Sequence, residues 1–322
     1  MTNARYFLAG GTMEKMRLAL IAGGKSSERE VSLKSGAQVF AALDQSKYDI
    51  RRYDPLADLG RLVQDAPELQ VALIIMHGRG GEDGAMQGFL DLLEIPYQGS
   101  GVLASALAMN KELSKALYQM TGLRVPNAMA FSRQIAPSPE EIEATLGLPA
   151  VIKPATEGSS IGISLARTLT ELGAGLATAF RYDAHVLVEE FIQGTEITAA
   201  VLGNSTPQAL PLVEIIPADR YTFFDYEAKY QPGASKEICP ARLDPELTRR
   251  AQQCALTAHQ ALGCRGYSRT DMIVREDKIY VLETNTIPGM TATSLFPQAA
   301  KAAGLEFPAL LDKLISLALE KE

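Results

Sequence analysis

Short apolar runs alternate with amphipathic stretches over the first hundred residues of the chain. The apolar runs at 17–22 and 71–76 predict strands, and the stretch at 48–53 is predicted as a strand between them. A helix is predicted from about Glu30, and a second one over Asp83–Leu93 with Asp83 as its N-cap. Alternation of this kind indicates an open, mostly parallel α/β domain, in which ligands bind at the carboxyl ends of the strands.

Two loops fall at such strand ends, GGKSSE after the first strand and HGRGGEDG after the third. Glu28 lies in the first loop and faces the crevice, while His77 directly follows a buried strand at the same edge. The paired glycines suit either a phosphate cradle or an ordinary turn. A histidine in this place is either a structural or a catalytic residue, and the pattern leaves both interpretations open.

The next region begins with a helix that has Asn110 as its predicted N-cap and ends at Gly122. Its apolar stripe is predicted at Leu113, Ala116, Leu117 and Met120. Lys111 falls in the first turn, where the helix dipole disfavours a cation. A bound anion would remove that unfavourable interaction, and a solvated lysine is the alternative.

A surface helix at Pro139–Leu146 precedes PAVIKPATEGSSIGISLA, which predicts a strand, a loop of small residues and a second strand. The loop at 158–160 can bind a phosphate through backbone N–H groups and hydroxyls, with the charge of Lys153 nearby. A plain hairpin turn fits the pattern as well, and the Walker motif GxxxxGK[ST] is absent from the chain.

Further along, VLVEEF at 186–191 predicts a strand whose adjacent acids, Glu189 and Glu190, point to opposite faces. One of the two must therefore approach the interior or a ligand. Residues 218–236 mix aromatic and charged side chains without periodicity, which indicates a functional lid carrying Lys229 and Tyr230. Further helices are predicted at Thr170–Phe180, Pro245–Leu262 and Pro308–Leu319.

The stretch RTDMIVREDKIYVLETNTIPGM predicts a hairpin with strands at Asp271–Arg275 and Ile279–Thr284. If its turn centres on Asp277, Asp271 faces Glu283 and Arg269 faces Asn285. Two carboxylates with Cβ atoms about 5 Å apart repel each other, and a cation between them would offset that repulsion. An Asp/Glu/Asn set of oxygen ligands suits Mg²⁺. A solvated acidic face is the alternative, which the apolar neighbours of these residues disfavour.

Composition narrows the function classes. A net charge of −7 disfavours a nucleic-acid binder, and no apolar run approaches the roughly 18 residues of a membrane span. Three widely spaced cysteines indicate a reducing cytoplasm. Residues 1–16 are expected to be an extension, and boundaries near Ala108 and Gly194 divide the chain into regions 1–108, 109–193 and 194–322.

From about Arg17 onward, the sequence resembles the D-alanine–D-alanine ligases of the ATP-grasp superfamily. The matching segments are GGKSSEREVSL, MHGRGGEDG, GSGVLASALAMNK, VIKPATEGSSIG, DYEAKY, RTD and LETNTIPGMT. The resemblance implies a three-domain ATP-grasp fold with ATP between the second and third domains. It implies that ATP phosphorylates one D-alanine and that a second D-alanine displaces the phosphate, which yields a dipeptide for peptidoglycan synthesis.

The resemblance also implies a nucleotide site with two Mg²⁺ ions, which Mn²⁺ could replace. The implied phosphate contacts are Lys111, Lys153, Glu157, Gly158 and Ser160. The implied adenine and ribose contacts are Glu189, Glu190, Phe191, Ile192 and Glu196. The metal ligands would be Asp271, Glu283 and Asn285, the set that the hairpin pattern selects by itself.

For the substrates, the resemblance assigns the first ammonium group to Glu28, with His77 beside it. Glu28, Ser159 and Tyr230 would form a hydrogen-bonded set across the closed site. Arg269 and the Gly289 N–H would stabilise the oxyanion. The second carboxylate would be held by Ser294, Leu295 and Lys229.

Two positions depart from some relatives, since Thr156 replaces an arginine and Phe191 replaces a tryptophan. Tyr230 is the residue of dipeptide-forming relatives. The family further implies a cytoplasmic homodimer without nucleic-acid or membrane partners. Another ATP-grasp ligase, such as a D-alanine–D-lactate ligase, and a non-catalytic nucleotide-binding protein remain alternatives.

Overall fold

Three separate sheets organise the chain in a computed structural model that describes residues 14–158, 161–217 and 235–320. The first sheet is parallel, with strands β1 (Met16–Ile21), β2 (Tyr48–Tyr53) and β3 (Val71–Ile74) in the order β2-β1-β3. Its helices are α1 (Arg29–Ala42), α2 (Leu59–Asp65), α3 (Ala85–Leu92) and α4 (Val102–Met109). The predicted parallel α/β domain is confirmed.

The second sheet is antiparallel and follows helix α5 (Lys111–Met120). Its strands are β4 (Ala128–Ser132), β5 (Ala150–Pro154), β6 (Ser164–Ala166) and β7 (His185–Glu190), in the order β4-β7-β5-β6. Helices α6 (Pro139–Leu146) and α7 (Leu169–Tyr182) form an apolar core with this sheet. Helix α6 begins with a capping box in which Ser138 and Glu141 bond each other's backbone.

The third sheet contains β8 (Thr195–Leu202), β9 (Gln208–Ala209), β10 (Val213–Pro217), β11 (Ser235–Ile238), β12 (Tyr267–Arg275) and β13 (Lys278–Asn285). The order is β11-β10-β8-β12-β13, with β9 paired to β8. Among the described residues of this region, the helices are α8 (Pro245–Ala261), α9 (Leu295–Ala302) and α10 (Phe307–Ala318).

The end of the chain completes the core of its beginning. Leu310, Leu311 and Leu314 of α10 share one buried apolar cluster with Leu18 and Leu20 of β1. Burying a leucine side chain contributes about 1.5–3 kcal/mol, so this cluster ties the first and third sheets together strongly. The boundaries expected near residues 108 and 194 agree with the residue ranges of the three sheets and stay a prediction.

Asp83 is not the N-cap of α3. The cap is Gly84, in the left-handed region at φ 93°, and the helix begins at Ala85. The Asp83 carboxylate instead accepts hydrogen bonds from the N–H groups of Gly80 and Ala85. Because the Asp83 carboxylate closes the preceding glycine-rich loop, α3 begins at Ala85, later than its sequence predicts.

The apolar stripe predicted for α5 is wrong at Leu113, Ala116 and Met120, which are exposed, whereas Leu117 packs against an apolar cluster as predicted. Leu113 is 49% exposed and Met120 is 82% exposed. The residues that α5 buries are Lys111, Ser114, Lys115 and Tyr118. The inner face of this helix combines ion pairs of its lysines with apolar contacts, because Tyr118 and Leu117 pack in an apolar cluster with residues of the third sheet and of α8.

None of the helices in the described ranges is both long enough and apolar enough to cross a lipid bilayer.

Gly194 connects the second and third sheets at a point where a side chain does not fit. A Cβ atom there would lie 2.2 Å from the carbonyl oxygen of Val274. Gly194→Ala is therefore expected to lower the free energy of unfolding by about 1–3 kcal/mol, because backbone must shift to make room. Urea denaturation measures the change.

Gly60 in α2 is the matched control, since a Cβ there meets nothing within 4 Å. Gly60→Ala should leave the protein equally or slightly more stable, because alanine favours helix. Equal stabilities of the two variants would contradict the close approach at Gly194.

Candidate functional site

The register of the β12–β13 hairpin brings the predicted residues together. Asp271 pairs with Glu283 and Arg269 with Asn285, which confirms the predicted pairs. The turn is not centred on Asp277, however, because Arg275 pairs with Lys278. A bulge at Leu282 adds one residue to β13 and restores the register on the site side.

Protein cations offset the repulsion between these two carboxylates. Arg269 donates two hydrogen bonds to Asp271, at 2.8 and 2.7 Å, and Thr198 donates a third at 2.6 Å. The amide of Asn285 lies 3.3 Å from the same carboxylate. The ammonium nitrogen of Lys111 lies 3.7 Å from Glu283. The hairpin is therefore compatible with a folded chain before any metal binds.

The donor set of the hairpin fits Mg²⁺. Asp271 and Glu283 supply two carboxylates on one face, and Asn285 adds an amide oxygen. Mg²⁺ prefers one or two carboxylates and completes its shell with water and phosphate oxygens. In the described ranges, no group of three or more His, Cys, Asp or Glu side chains is arranged to hold a metal ion.

Lys111 is not a solvated lysine. It is 6% exposed, and its ammonium group donates a hydrogen bond to the carbonyl oxygen of Glu157 in the loop after β5. A buried hydrogen bond joins the same helix to the hairpin, because the Tyr118 hydroxyl donates to Thr284 Oγ1 at 2.8 Å. Helix α5 thus positions a cation between the phosphate-loop candidate and Glu283.

A buried group of three charges lies beside Lys111. The two carboxylate oxygens of Glu189 lie 2.7 Å from the ammonium groups of Lys115 and Lys153, one oxygen for each lysine. Burial would raise the pKa of Glu189, but the two lysines outweigh it and lower the pKa. Burial lowers the pKa of Lys115. For Lys153, the carboxylates of Glu189 and Glu283 outweigh burial and raise the pKa.

Glu189 is the acid of the pair that turns inward, which confirms that one of the two approaches the interior. It is 2% exposed. Glu190 is half-buried and accepts a hydrogen bond from the Asn127 N–H at 2.9 Å, which fixes the end of β7.

Lys153, Glu189 and Glu190 belong to the lining of a pocket between the second and third sheets. Its polar lining residues are Lys153, Glu189, Glu190, Glu196, Asp271 and Glu283, and its apolar ones are Pro126, Val151, Ile163, Phe191, Ile192, Ile273 and Leu282. Eight residues predicted for the nucleotide and metal sites are in this lining. The pocket combines apolar walls with a charged end, as a base and its phosphates require.

Glu28 and His77 are buried at the edge of the first sheet, as predicted, with 3% and 6% of each residue exposed. A Cβ atom on Gly78 would lie 2.8 Å from Glu28 Oε2, and one on Gly158 would lie 3.0 Å from it. The Glu28 carboxylate therefore lies directly against the loop that follows β5. Burial and the charge of Arg269 lower the pKa of His77 to about 4, so its ring is neutral near pH 7.

The sequence reasoning missed Glu82, which lies in the HGRGGEDG loop beside Glu28. Gly78 donates its N–H to Glu82 Oε2 at 2.7 Å. Burial and the neighbouring charge of Glu28 raise the pKa of Glu82 to about 8. The signal was present, since two predicted strand-end loops each carried an acid at one edge of a sheet.

Gly289, Ser294 and Leu295 lie at the start of α9. A Cβ on Gly289 would lie 3.1 Å from Ser294 Oγ, so the two residues are neighbours. Ser294 Oγ accepts a hydrogen bond from the Thr291 N–H at 3.2 Å. Leu295 is 8% exposed. The predictions for Ser159, Ser160, Lys229 and Tyr230 lie outside the described residues.

The architecture defines the class of protein. A pocket with apolar walls lies between two antiparallel sheets, with buried lysines and a two-carboxylate hairpin at its charged end, and a parallel α/β unit adds a second acidic group beside it. This is the arrangement of ATP-grasp enzymes.

Comparison with known proteins is specific about the family. Residues 54–100 match the family described as D-ala D-ala ligase N-terminus, and residues 117–316 match D-ala D-ala ligase C-terminus. The D-alanine–D-alanine ligase of Syntrophobacter fumaroxidans is 60% identical, over 95% of this chain and 99% of that protein. That of Desulfotalea psychrophila is 57% identical, over 96% of each.

Solved structures agree. The D-alanine–D-alanine ligase of Bacillus anthracis complexed with ATP superimposes with a TM-score of 0.83 at 35% identity, over 94% of this chain and 97% of that chain. The VanG D-Ala:D-Ser ligase of Enterococcus faecalis gives a TM-score of 0.81 at 34% identity, over 95% and 100%. The chain belongs to the D-alanine–D-alanine ligase family, which confirms the family, the fold and the enzyme class expected from the sequence.

The Glu82 carboxyl predicts a pH dependence of stability. With a folded-state pKa of about 8 against the usual 4.5, the folded chain holds a proton that the unfolded chain loses between these values. Stability therefore falls as pH rises through this window. Glu82→Gln removes this dependence, so its free energy of unfolding relative to the parent should increase from pH 5 to pH 9.

Urea denaturation at a series of pH values measures this difference. Glu143→Gln, at an exposed position of α6, is the matched control and should show a constant difference from the parent. A Glu82→Gln curve that runs parallel to that of the parent would rule out a shared proton at the Glu28–Glu82 pair.

Proposed function

We propose that this chain joins two D-alanine molecules into D-alanyl-D-alanine with ATP, through a D-alanyl phosphate, and so supplies a peptidoglycan precursor. The observation that carries the proposal is the position of Arg269. This residue is ion-paired with Asp271 of the hairpin, and its charge also acts on His77 and Glu82 of the first region. One cation thus links the hairpin electrostatically with the acidic group that would hold an amino acid.

The first step needs a carboxylate brought to the γ-phosphorus of ATP. In the proposal, Lys111 and Lys153 hold the phosphates, and the loop carrying Glu157, Gly158 and Ser160 covers them. The apolar wall at Phe191 and Ile192 takes the base, as its place in the pocket supports. Glu189, Glu190 and Glu196 bind the polar edges of the base and ribose. The carboxylate oxygen then bonds to the γ-phosphorus as the bond to ADP breaks.

Two Mg²⁺ ions, when bound at Asp271, Glu283 and Asn285, would neutralise phosphate charge at this stage. Arg269 and Lys111, which pair with the carboxylates of the metal site, would change partners at this stage. Arg269 would leave Asp271 for the developing oxyanion, and Lys111 would leave Glu283 for a phosphate. The ion pairs of Lys111 with Glu283 and of Arg269 with Asp271 thus keep both cations close to where they would act.

The second step needs a held ammonium group and a stabilised oxyanion. Glu28 would bind the ammonium of the first D-alanine, with His77 neutral beside it. The amine of the second D-alanine attacks the acyl carbon, and Arg269 with the Gly289 N–H stabilises the negative oxygen that forms. The bond between the acyl carbon and the phosphate oxygen breaks next, and the departing phosphate accepts the proton that the amine nitrogen loses.

The remaining substrate contacts are proposed from the family resemblance. Ser294, the Leu295 N–H and Lys229 would hold the carboxylate of the second D-alanine. A set made of Glu28, Ser159 and Tyr230 would close the site against water. The contact between Glu28 and Gly158 supports this set, because it brings the first region against the loop that carries Ser159.

We further propose a homodimer that acts in the cytoplasm, with no membrane or nucleic-acid partner. Strongly exposed leucines on the first region, Leu92 at 85% and Leu103 at 71%, support that region as the contact surface. The three regions 1–108, 109–193 and 194–322 are proposed as the domains.

Phosphate release from ATP tests the function. D-alanine should stimulate release and yield D-alanyl-D-alanine by mass spectrometry, whereas L-alanine should not. Equal amounts of D-alanine and D-lactate near neutral pH should give mainly the dipeptide. A main product containing D-lactate or D-serine would identify a different ligase of the same class, and nucleotide binding without release would indicate a binding protein.

The metal assignment has its own test. Asp271→Asn and Glu283→Gln are expected to reduce turnover by about a hundredfold or more, since each removes a charge on which transition-state stabilisation depends. The unfolding midpoint should change little by comparison. Titration with Mg²⁺ and Mn²⁺ measures the loss, with Glu143→Gln as the surface control. Unchanged turnover at low Mg²⁺ would refute the assignment.

A further inference from the structure

We infer that Lys115 is a positioning residue that keeps Lys153 available to the nucleotide phosphates by sharing the carboxylate of Glu189. This inference rests on the proposed function, because it concerns the ATP site of that reaction. Lys115 is absent from the pocket lining, and nothing in the sequence reasoning gave it a role. Its effect on the nucleotide must therefore pass through another side chain.

The geometry shows which side chain that is. Lys115 lies on α5, Glu189 on β7 and Lys153 on β5. One Glu189 oxygen lies 2.7 Å from Lys115 and the other 2.7 Å from Lys153. Glu189 is 2% exposed and Lys115 is 4% exposed, so water does little to screen their charges. Lys153 differs in that it reaches the pocket, where its ammonium group can meet a phosphate.

The net charge of the cluster of Lys115, Glu189 and Lys153 indicates what Lys115 contributes beyond packing. One carboxylate and two ammonium groups leave the cluster with one positive charge. Without Lys115, Glu189 would neutralise Lys153 completely, and a phosphate would have to compete with a buried ion pair for the remaining lysine. Glu283 also attracts Lys153, which would deepen that competition.

A purely structural lysine would be a poor choice at this position. A buried ion pair often stabilises a protein no more than well-packed apolar residues of the same size, because both charges lose their hydration. Burial lowers the pKa of Lys115, which reflects that desolvation. The charge is therefore better explained by what it does to Glu189 than by the stability of α5.

Lys115→Met tests the inference in the full chain. The KM for ATP is expected to rise about tenfold to a hundredfold, the usual effect of weakening one charged hydrogen bond. The kcat should stay within about threefold, and the KM for D-alanine should not change. Lys301→Met, at an exposed lysine 69% accessible in its side chain, is the matched control and should leave all three constants unchanged.

A double-mutant cycle separates positioning from a structural effect. In a Glu189→Gln background there is no carboxylate to occupy Lys153, so Lys115→Met should weaken nucleotide binding far less than it does in the parent. Calorimetric titration with ADP provides the readout in all four proteins. Equal effects in both backgrounds would overturn the inference.

A second variant addresses the case in which Lys115→Met does not fold, and a product assay of the parent tests the proposed function separately. If Lys115→Met does not fold, Lys115→Gln keeps the size and a donor for Glu189 while removing the charge, and it should show the same loss of ADP affinity. Parent-like affinity in a folded Lys115→Gln protein would also overturn the inference. The proposed function is judged separately, by product formation in the parent, so ADP binding without product would count against that function alone.

Discussion

Like charges held close together are the constraint on which the rest of the structure depends. Asp271 faces Glu283 across a hairpin, and Glu82 lies beside Glu28 at the edge of the first sheet. Each acidic pair needs compensation. In the hairpin, the positive charges of Arg269 and Lys111 offset the repulsion. In the Glu28–Glu82 pair, the raised pKa of Glu82 keeps a proton on one carboxyl.

The two solutions suit the two ligands that the sites are proposed to take. An arginine or lysine side chain can exchange a carboxylate partner for a phosphate or an oxyanion, because each of these anions accepts charged hydrogen bonds from it. A shared proton can leave when an ammonium group arrives. Buried charges at an active site thus have a reason to persist even where apolar residues would stabilise the fold equally well.

Packing far from the pocket decides how these groups meet. Helix α10 inserts its leucines beside β1, and the Tyr48 hydroxyl donates a hydrogen bond to Asp312 of α10 at 2.8 Å. The chain end therefore fixes the first sheet against the third. Because Glu28 belongs to one and Arg269 to the other, the core contributes to the site without touching it.

Local patterns in the sequence determined much of this protein. Alternation of strands and helices defined the parallel domain, and Asn110 capped α5 as expected. These features follow from backbone geometry and nearest neighbours, so a one-dimensional pattern contains them. Family resemblance added roles that residue types alone do not specify.

Only the tertiary structure decided which side chains are buried with which. It turned Leu113 and Met120 outward and Lys111 and Lys115 inward, because part of the surface that α5 covers carries carboxylates. It also placed Glu82 beside Glu28, and it placed the Glu189 carboxylate between Lys115 and Lys153. Long-range electrostatic partners come from distant parts of the chain, and a periodicity of a single helix has no information about the charge of the surface that it will meet.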